Sequence, residues 1–124
     1  MARPRNADPE KRRREILQAS IRRFGAQGYK ATSLREIAAD TGVTFATVHH
    51  YFGTKDQLYV ACAEAGFEDL AGLQSALMQE AVAHQGAPVE LVRHVAMRAF
   101  RYSLTRRDAS RFLLRARLFE AGVP

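Results

Sequence analysis

Hydroxyl, imidazole and aromatic side chains lie close together in one short run, residues 44–51, which reads TFATVHHY. If Val48 faces the core of a helical segment, helix geometry turns four neighbours away from it: Ala46, Thr47, His49 and His50. These groups suit base edges and thymine methyls in the major groove of DNA. They include no Lys or Arg, so a purely electrostatic DNA clamp is not indicated. The alternative interpretation is that His49 and His50 are only exposed polar residues.

Three small or apolar residues frame this run with the spacing Ala38-x3-Gly42-x5-Val48. A small side chain at Ala38 lets a second helix cross closely, and Gly42 permits a tight turn with positive φ. Val48 then holds the second helix on the core. The arrangement is typical of a helix-turn-helix, whose second helix enters the DNA major groove. Two unrelated short helices joined by a glycine turn are the alternative explanation of the same spacing.

The elements that position this run are all predicted to be helices. Helical periodicity runs through almost every segment, and none alternates convincingly like a strand. Asp8 followed by Pro9 is typical of a helix start. Gly25 and Gly28 are predicted to end this first helix, because glycine readily adopts the left-handed cap conformation. Tyr29 is then expected to fold back on the last turn.

Two capping boxes mark later helix starts, one from Ser33 to Glu36 and one from Thr54 to Gln57. The second helix is therefore predicted to begin at residue 33 or 34 and to end near Thr41. The third helix is predicted over residues 44–51. The fourth is predicted to be long, over residues 55–84.

The helices after residue 54 carry apolar stripes that are predicted to face inward. Gly86-Ala87-Pro88 separates the fourth helix from the fifth, and the pattern resets again at residues 105–108. The positions expected to be buried are Leu58, Cys62, Ala65, Leu70, Leu73, Leu77 and Val82 in the fourth helix, Leu91, Val92, Val95, Ala99 and Phe100 in the fifth, and Phe112, Leu113, Ala116 and Phe119 in the sixth.

Composition excludes several classes of protein. The chain has 124 residues, of which 47% are apolar and 26% charged, as in an ordinary globular domain. One Cys excludes an internal disulfide and fits a reducing compartment. The longest wholly apolar run, residues 58–63, is far too short to span a membrane, and the basic N-terminus lacks the apolar stretch of a signal peptide. We therefore expect a cytoplasmic protein that does not bind membranes.

No pattern in the chain indicates catalysis or metal binding. His84 and His94 are ten residues apart across a predicted break, and neither has a cysteine or carboxylate pattern nearby. Adjacent His49 and His50 project about 100° apart on a helix, so they do not easily share one ion. No nucleophile elbow, phosphate loop or paired-carboxylate motif is present. We expect neither an enzyme nor a cofactor.

Positive charge is concentrated at one end. The net charge is +6, and residues 1–60 hold 11 basic and 6 acidic side chains, against 8 and 7 in residues 61–124. A basic end predicts an acidic polymer as partner, most simply a nucleic acid. A solvated, solubilising tail is the alternative.

Four segments together resemble the DNA-binding domain of TetR-family transcriptional repressors: Phe24-x3-Gly28-Tyr29, Thr32 to Ala38, Gly42-Val43 and Tyr51 to Leu58. The resemblance implies an all-α fold, with a three-helix, homeodomain-like helix-turn-helix head over residues 1–54. A helical regulatory and dimerisation region over residues 55–124 follows. It also implies a homodimer on a palindromic DNA operator, released by a small-molecule effector. Family members are longer, so we expect the regulatory domain to be incomplete.

The resemblance also implies residue roles. Four residues match base-reading positions of the family: Phe45, Ala46, Thr47 and His49. His50 and Tyr51 match positions that reach bases or phosphates. Lys55 matches a phosphate-gripping lysine, and a helix N-terminus offers N–H groups to the same anion. Thr32 or Ser33 is expected to bind phosphate too, and Arg3 and Arg5 to enter the minor groove as an N-terminal arm.

Two further functions compete with a sequence-specific regulator. One is a sequence-tolerant DNA-binding protein that keeps the head but lacks regulation. The other is a helical interaction module that pairs with a full-length relative. Apolar residues in the last two helices also predict self-association through residues beyond about Ala65, because an uncovered apolar patch tends to find a partner.

Overall fold

The protein, described by a computed structural model over residues 8–120, is built from six α-helices. Their bounds are α1 Pro9–Gln27, α2 Leu34–Thr41, α3 Phe45–Phe52, α4 Lys55–Ala83, α5 Pro88–Thr105 and α6 Arg107–Phe119. Residues 8–120 contain no strand, so the all-α prediction is confirmed. Within the same residues, no helix is long and apolar enough to cross a membrane.

The three-helix head, α1 to α3, closes around one apolar core together with the first turns of α4. Ile16 and Phe24 of α1, Ile37 of α2, Val48 of α3 and Leu58 of α4 are all fully buried. Within a helix the buried residues recur at helical spacing, as Val48 and Phe52 do in α3, so each helix has one face that must be covered. The core therefore fixes the position of α3, which carries the candidate DNA-reading residues.

Side-chain caps begin the helices where the sequence predicts them. The Asp8 side chain accepts a hydrogen bond from the Lys11 N–H. Reciprocal capping boxes are present at Ser33 with Glu36 and at Thr54 with Gln57. Each cap satisfies N–H groups that the first turn of a helix leaves without a partner.

The prediction that Gly25 and Gly28 end α1 is only partly correct, because the helix runs through Gly25 to Gln27 and only Gly28, with φ +88°, caps it. Gly25 has a packing role instead. A Cβ there would lie 3.1 Å from the backbone nitrogen of Phe112 and 3.3 Å from the carbonyl oxygen of Asp108. Glycine lets α6 cross α1 at this point.

Helix α6 packs along α1 more extensively than any other pair of helices in the described residues. Phe112 is 1% exposed, and its ring lies 6.3 Å from that of Phe24 and 5.3 Å from that of Tyr59. Leu113 and Ala116 are half-buried against the same core. The predicted inward face of α6 is therefore correct for these three residues.

The second half of α4 and all of α5, residues 67–105, form a distal arm whose predicted burial is largely wrong. Val82, Val92 and Phe100 are 82%, 67% and 60% exposed, and α5 buries no residue. Phe119, at the end of α6, is 78% exposed. Leu73, Leu77, Leu91 and Val95 are only half-buried, and apolar periodicity alone does not bury a side chain.

Candidate nucleic-acid interface

The turn between α2 and α3 has the geometry that the Ala38-Gly42-Val48 frame predicts. Gly42 adopts a left-handed conformation with φ +70° and ψ 26°. The N–H of Val43 then donates to the carbonyl of Ala38 at 3.0 Å. Ala38 is 4% exposed and Val48 is fully buried, so both helices are held on the core. The prediction of a positive φ at Gly42 is confirmed.

Helix α3 presents a mixed polar and aromatic face to solvent. Phe45, Ala46, His49 and His50 are exposed, and Thr47 is half-buried. The hydroxyls of Thr44 and Thr47 lie 3.0 Å apart, and Thr44 also accepts from the N–H of Thr47 to cap the helix. The predicted base-reading set therefore lies together on one accessible face. It combines hydrogen-bonding and methyl-contacting groups.

Two arginines outside α3 flank this face, and the sequence interpretation missed both. The guanidinium carbon of Arg35, on α2, lies 4.8 Å from the centre of the Phe45 ring. The Phe45 ring stacks on the His49 ring, with 6.2 Å between the ring centres and 15° between the ring planes. On the other side, Arg12 of α1 helps to line a concavity of about 490 Å³. The concavity is otherwise lined by Gly42, Val43, Thr44, Ala46, Thr47, His50 and Tyr51.

Tyr51 lies between the core and the exposed face of α3. The Tyr51 ring is half-buried against the core. Its centre lies 5.5 Å from the centre of the His50 ring, and the two ring planes are at 76° to each other. His50 therefore lies at the edge of the exposed face, next to a ring that the core holds in place. This arrangement suits the predicted role of both residues as base or phosphate contacts.

Thr32 does not fit the predicted phosphate role, and we correct that assignment. Its side chain is 2% exposed, and its hydroxyl donates to the carbonyl of Gly28 at 2.8 Å. The turn between α1 and α2 needs this buried hydrogen bond. Ser33 is exposed, and its hydroxyl oxygen accepts from the Glu36 N–H at 3.1 Å. Only Ser33 of this pair is accessible to a phosphate.

Lys55 begins α4 and is half-buried. Its ammonium nitrogen lies 4.2 Å from the centre of the Tyr29 ring. Burial lowers the pKa of Lys55, and the carboxylates of Glu120 and Glu36 partly oppose that shift. A cation over an aromatic face is held in a defined place rather than moving freely in water.

A bidentate ion pair fixes α2 on α1. The Arg23 Nε and Nη2 atoms donate to the Asp40 carboxylate at 2.6 and 2.8 Å. These hydrogen bonds are the largest cause of the lowered pKa of Asp40 and of the raised pKa of Arg23. The pair helps to set the angle of the helix that carries Arg35.

The remaining predicted site residues are Arg3 and Arg5, which lie outside the described residues. Within residues 8–120, no group of three or more His, Cys, Asp and Glu side chains is placed to hold a metal ion. Two of the histidines have other partners. A ring nitrogen of His84 lies 3.0 Å from the Ala87 carbonyl, and one of His94 lies 2.5 Å from a Glu80 oxygen.

Comparison with known proteins finds similarity to one family in the N-terminal part of the chain. Residues 16–62 match the family described as bacterial regulatory proteins, tetR family. The chain is 42% identical over 55 residues to the HTH-type transcriptional dual regulator CecR of Shigella flexneri, covering 44% of this chain and 24% of that protein. It is 37% identical over 75 residues to the HTH-type transcriptional regulator BetI of Brucella canis, and this match covers 60% of this chain and 38% of that protein. The alignments thus span well under half of each relative.

One solved structure resembles almost the whole chain. It is described as "Molecular basis for control of antibiotic production by a bacterial hormones". The TM-score is 0.69 at 23% sequence identity, and the match covers 92% of this chain and 58% of that chain. At this identity the likeness establishes the fold alone.

Proposed function

We propose that the chain is a sequence-specific DNA-binding transcriptional regulator of the TetR family that acts as a repressor, since residues 16–62 match that family. The observation that carries this proposal is the exposed polar and aromatic face of α3, held on the core by Val48 and the left-handed Gly42. The regulator names of the similar proteins also support it.

In the proposed complex, α3 lies in the major groove and four residues contact bases: Phe45, Ala46, Thr47 and His49. His50 and Tyr51 contact bases or phosphates at the edge. Ser33 and Lys55 bind phosphates on either side. We add Arg35 to this set, because its guanidinium stacks on Phe45 beside the reading face. It supplies the positive charge that α3 itself lacks.

The experiment begins with selection of binding sites from a random duplex pool. Thr47→Ala and His49→Ala are each expected to cost roughly 1–3 kcal/mol on the selected site and to relax preference at particular base pairs. Lys55→Ala is the matched contrast. It is expected to weaken selected and random duplexes alike and to lower the salt slope by about one.

The outcome separates the proposal from its alternatives. A pool that yields no preferred site would favour a sequence-tolerant DNA-binding protein. Absence of binding to any duplex would favour the helical interaction module, which is tested by mixing with a full-length relative. A uniform loss from Thr47→Ala on every sequence would make Thr47 a backbone contact.

We also propose a division into a head over residues 1–54 and a regulatory region over residues 55–124 that forms a homodimer. A palindromic operator requires two heads about 34–36 Å apart, which a monomer does not supply. Exposed Phe67, Val92 and Phe100 on the distal arm support self-association through residues beyond Ala65. Sedimentation across a concentration series tests this, and a monomer at every concentration would contradict it.

A groove between α4, α5 and α6 supports a small-molecule effector. The groove has a volume of about 630 Å³. Its lining is mostly apolar and includes Phe67, Leu70 and Leu113. The Tyr102 hydroxyl, in the same lining, is buried without a hydrogen-bond partner in the described part of the chain. An apolar body with one hydrogen-bonding group fits such a site.

A further inference from the structure

The carboxylate of Glu120, next to the end of α6, contacts two tyrosines that are distant from it in sequence. One oxygen accepts from the backbone N–H of Tyr29 at 2.5 Å, and the other accepts from the hydroxyl of Tyr59 at 2.8 Å. Both donors therefore point at one ionised acceptor, and hydrogen bonds to a charged group are the stronger kind. Burial and this carboxylate raise the pKa of Tyr59, so the hydroxyl stays a donor.

The two tyrosine rings continue the contact toward the DNA-facing side. Their centres lie 5.1 Å apart in an edge-to-face arrangement, and Tyr29 also stacks on Phe24 at 6.0 Å. On the Tyr29 ring lies the ammonium of Lys55, at 4.2 Å. An unbroken chain of contacts thus joins Glu120 to the lysine of the proposed phosphate site.

Neighbouring contacts show that the end of α6 is seated on the end of α1. Arg115 donates to the carbonyls of Gly25 and Ala26, at 3.1 and 3.4 Å, where a helix leaves carbonyls without partners. Gly28 has no side chain to obstruct this seat. A Cβ there would lie 3.1 Å from Glu120 and 3.2 Å from Arg115.

From these contacts we infer that Glu120 is a positioning residue for DNA binding: it fixes the Tyr29 backbone and the Tyr59 ring, and thereby holds Lys55 where it meets a phosphate. The inference rests on the proposed function of Lys55. It assigns a DNA-binding role to a residue of the regulatory region that does not itself face DNA.

The test uses the full chain with Glu120→Gln, since Gln replaces one of the two accepting oxygens with an NH2 group, which does not accept from the donor that faces it. Random-sequence 30-base-pair duplex is the probe, titrated at several salt concentrations. Glu68→Gln is the matched control, an exposed carboxylate on α4 about 20 Å along the helix from Lys55. It removes the same charge, and loss of a negative charge alone strengthens binding to DNA.

We expect Glu120→Gln to weaken DNA binding and to lower the dependence of binding on salt concentration, the salt slope, by up to about one. The removal of a negative charge alone would instead strengthen DNA binding. Glu68→Gln should leave binding unchanged or strengthen it. In a Lys55→Ala background, Glu120→Gln should cause no further weakening. An unchanged slope, or an equal loss in the Lys55→Ala background, would overturn the inference.

A second measurement needs no DNA and separates this inference from the phosphate role. The Tyr29 ring shields the terminal methylene protons of Lys55, and nuclear magnetic resonance should show that shielding reduced in Glu120→Gln. Retained shielding would overturn the inference, whereas an unaltered salt slope in Lys55→Ala would refute the phosphate role alone. If Glu120→Gln fails to fold, Tyr59→Phe removes one donor only and should reduce the shielding in the same direction.

Discussion

The two ends of α4 lie in regions that are packed very differently. Near its start, Leu58 and Cys62 are fully buried in the core of the head, and burial raises the pKa of the Cys62 thiol. Near its end, in the distal arm, Met78 and Val82 are 63% and 82% exposed. An apolar stripe becomes a core only where another surface covers it, and the buried residues of α4 all lie in its first half, between Leu58 and Gly66.

The largest expected effect contrasts one phenylalanine from each region. Phe112→Ala should lower the free energy of unfolding by about 3–5 kcal/mol, because Phe112 is 1% exposed and fills the core between α1 and α4. Phe100→Ala, at a side chain that is 60% exposed, should change it by less than about 0.5 kcal/mol. Urea unfolding at equilibrium measures both. Similar costs for the two variants would show that the arm is covered in solution.

A smaller effect contrasts two glycines whose missing side chains would meet no atom within 4 Å, Gly42 in the head and Gly72 in the arm. Gly42→Ala should cost about 1–2 kcal/mol, because φ is +70° and an L-residue is strained there whatever the space. Gly72→Ala lies in a regular helix and should stabilise by up to about 1 kcal/mol. Thermal unfolding shows whether each variant is less or more stable than the unsubstituted protein. A neutral Gly42→Ala would mean that the turn relaxes to another conformation.

The smallest expected effect concerns two carboxylates that join helices, Asp40 in the head and Glu80 in the arm. Hydrogen bonds from Arg23 lower the pKa of Asp40, and those from His94 and Arg98 lower the pKa of Glu80. A lowered pKa in the folded state stabilises above the ordinary carboxyl pKa, and this stabilisation is lost as the pH falls through the folded value.

Asp40→Asn should therefore remove part of the acid-side fall in global stability below about pH 4, since the Arg23–Asp40 pair joins two helices that share one core. Glu80→Gln should instead speed hydrogen exchange in α5 and leave the unfolding midpoint nearly unaltered. Unfolding midpoints of Asp40→Asn and Glu80→Gln, measured between pH 2.5 and 6, test the effects on global stability. Amide hydrogen exchange at pH 6 tests the local effect of Glu80→Gln in α5. A large global effect from Glu80→Gln would contradict the division between head and arm.

Local signals in the sequence were sufficient for the helices and for the exposed face of α3. Capping boxes at Ser33 and Thr54 and the glycine at position 42 act within a few residues, so they are legible without the rest of the chain. The face of α3 follows from Val48 and helical geometry alone. Gly25 could not be predicted in the same way, because its role depends on Phe112, which lies 87 positions along the chain.

Thr32 and Arg35 illustrate the same limit at the candidate site. Both lie near the start of α2 and carry groups that can bind phosphate, yet the fold buries Thr32 against Gly28 and places Arg35 over Phe45. Their side-chain environments depend on how α1 and α3 pack against α2. Residue type and spacing do not contain that information.

The sequence by itself determined the six helices, the left-handed turn at Gly42 and the outward set on α3, because each follows from contacts within a few residues. Only the tertiary structure decided which stripes are covered, and it joined Glu120 to Lys55 through two tyrosines. Burial and such long-range contacts depend on which surfaces meet. Periodicity specifies the apolar face of a helix but not the surface that lies opposite it.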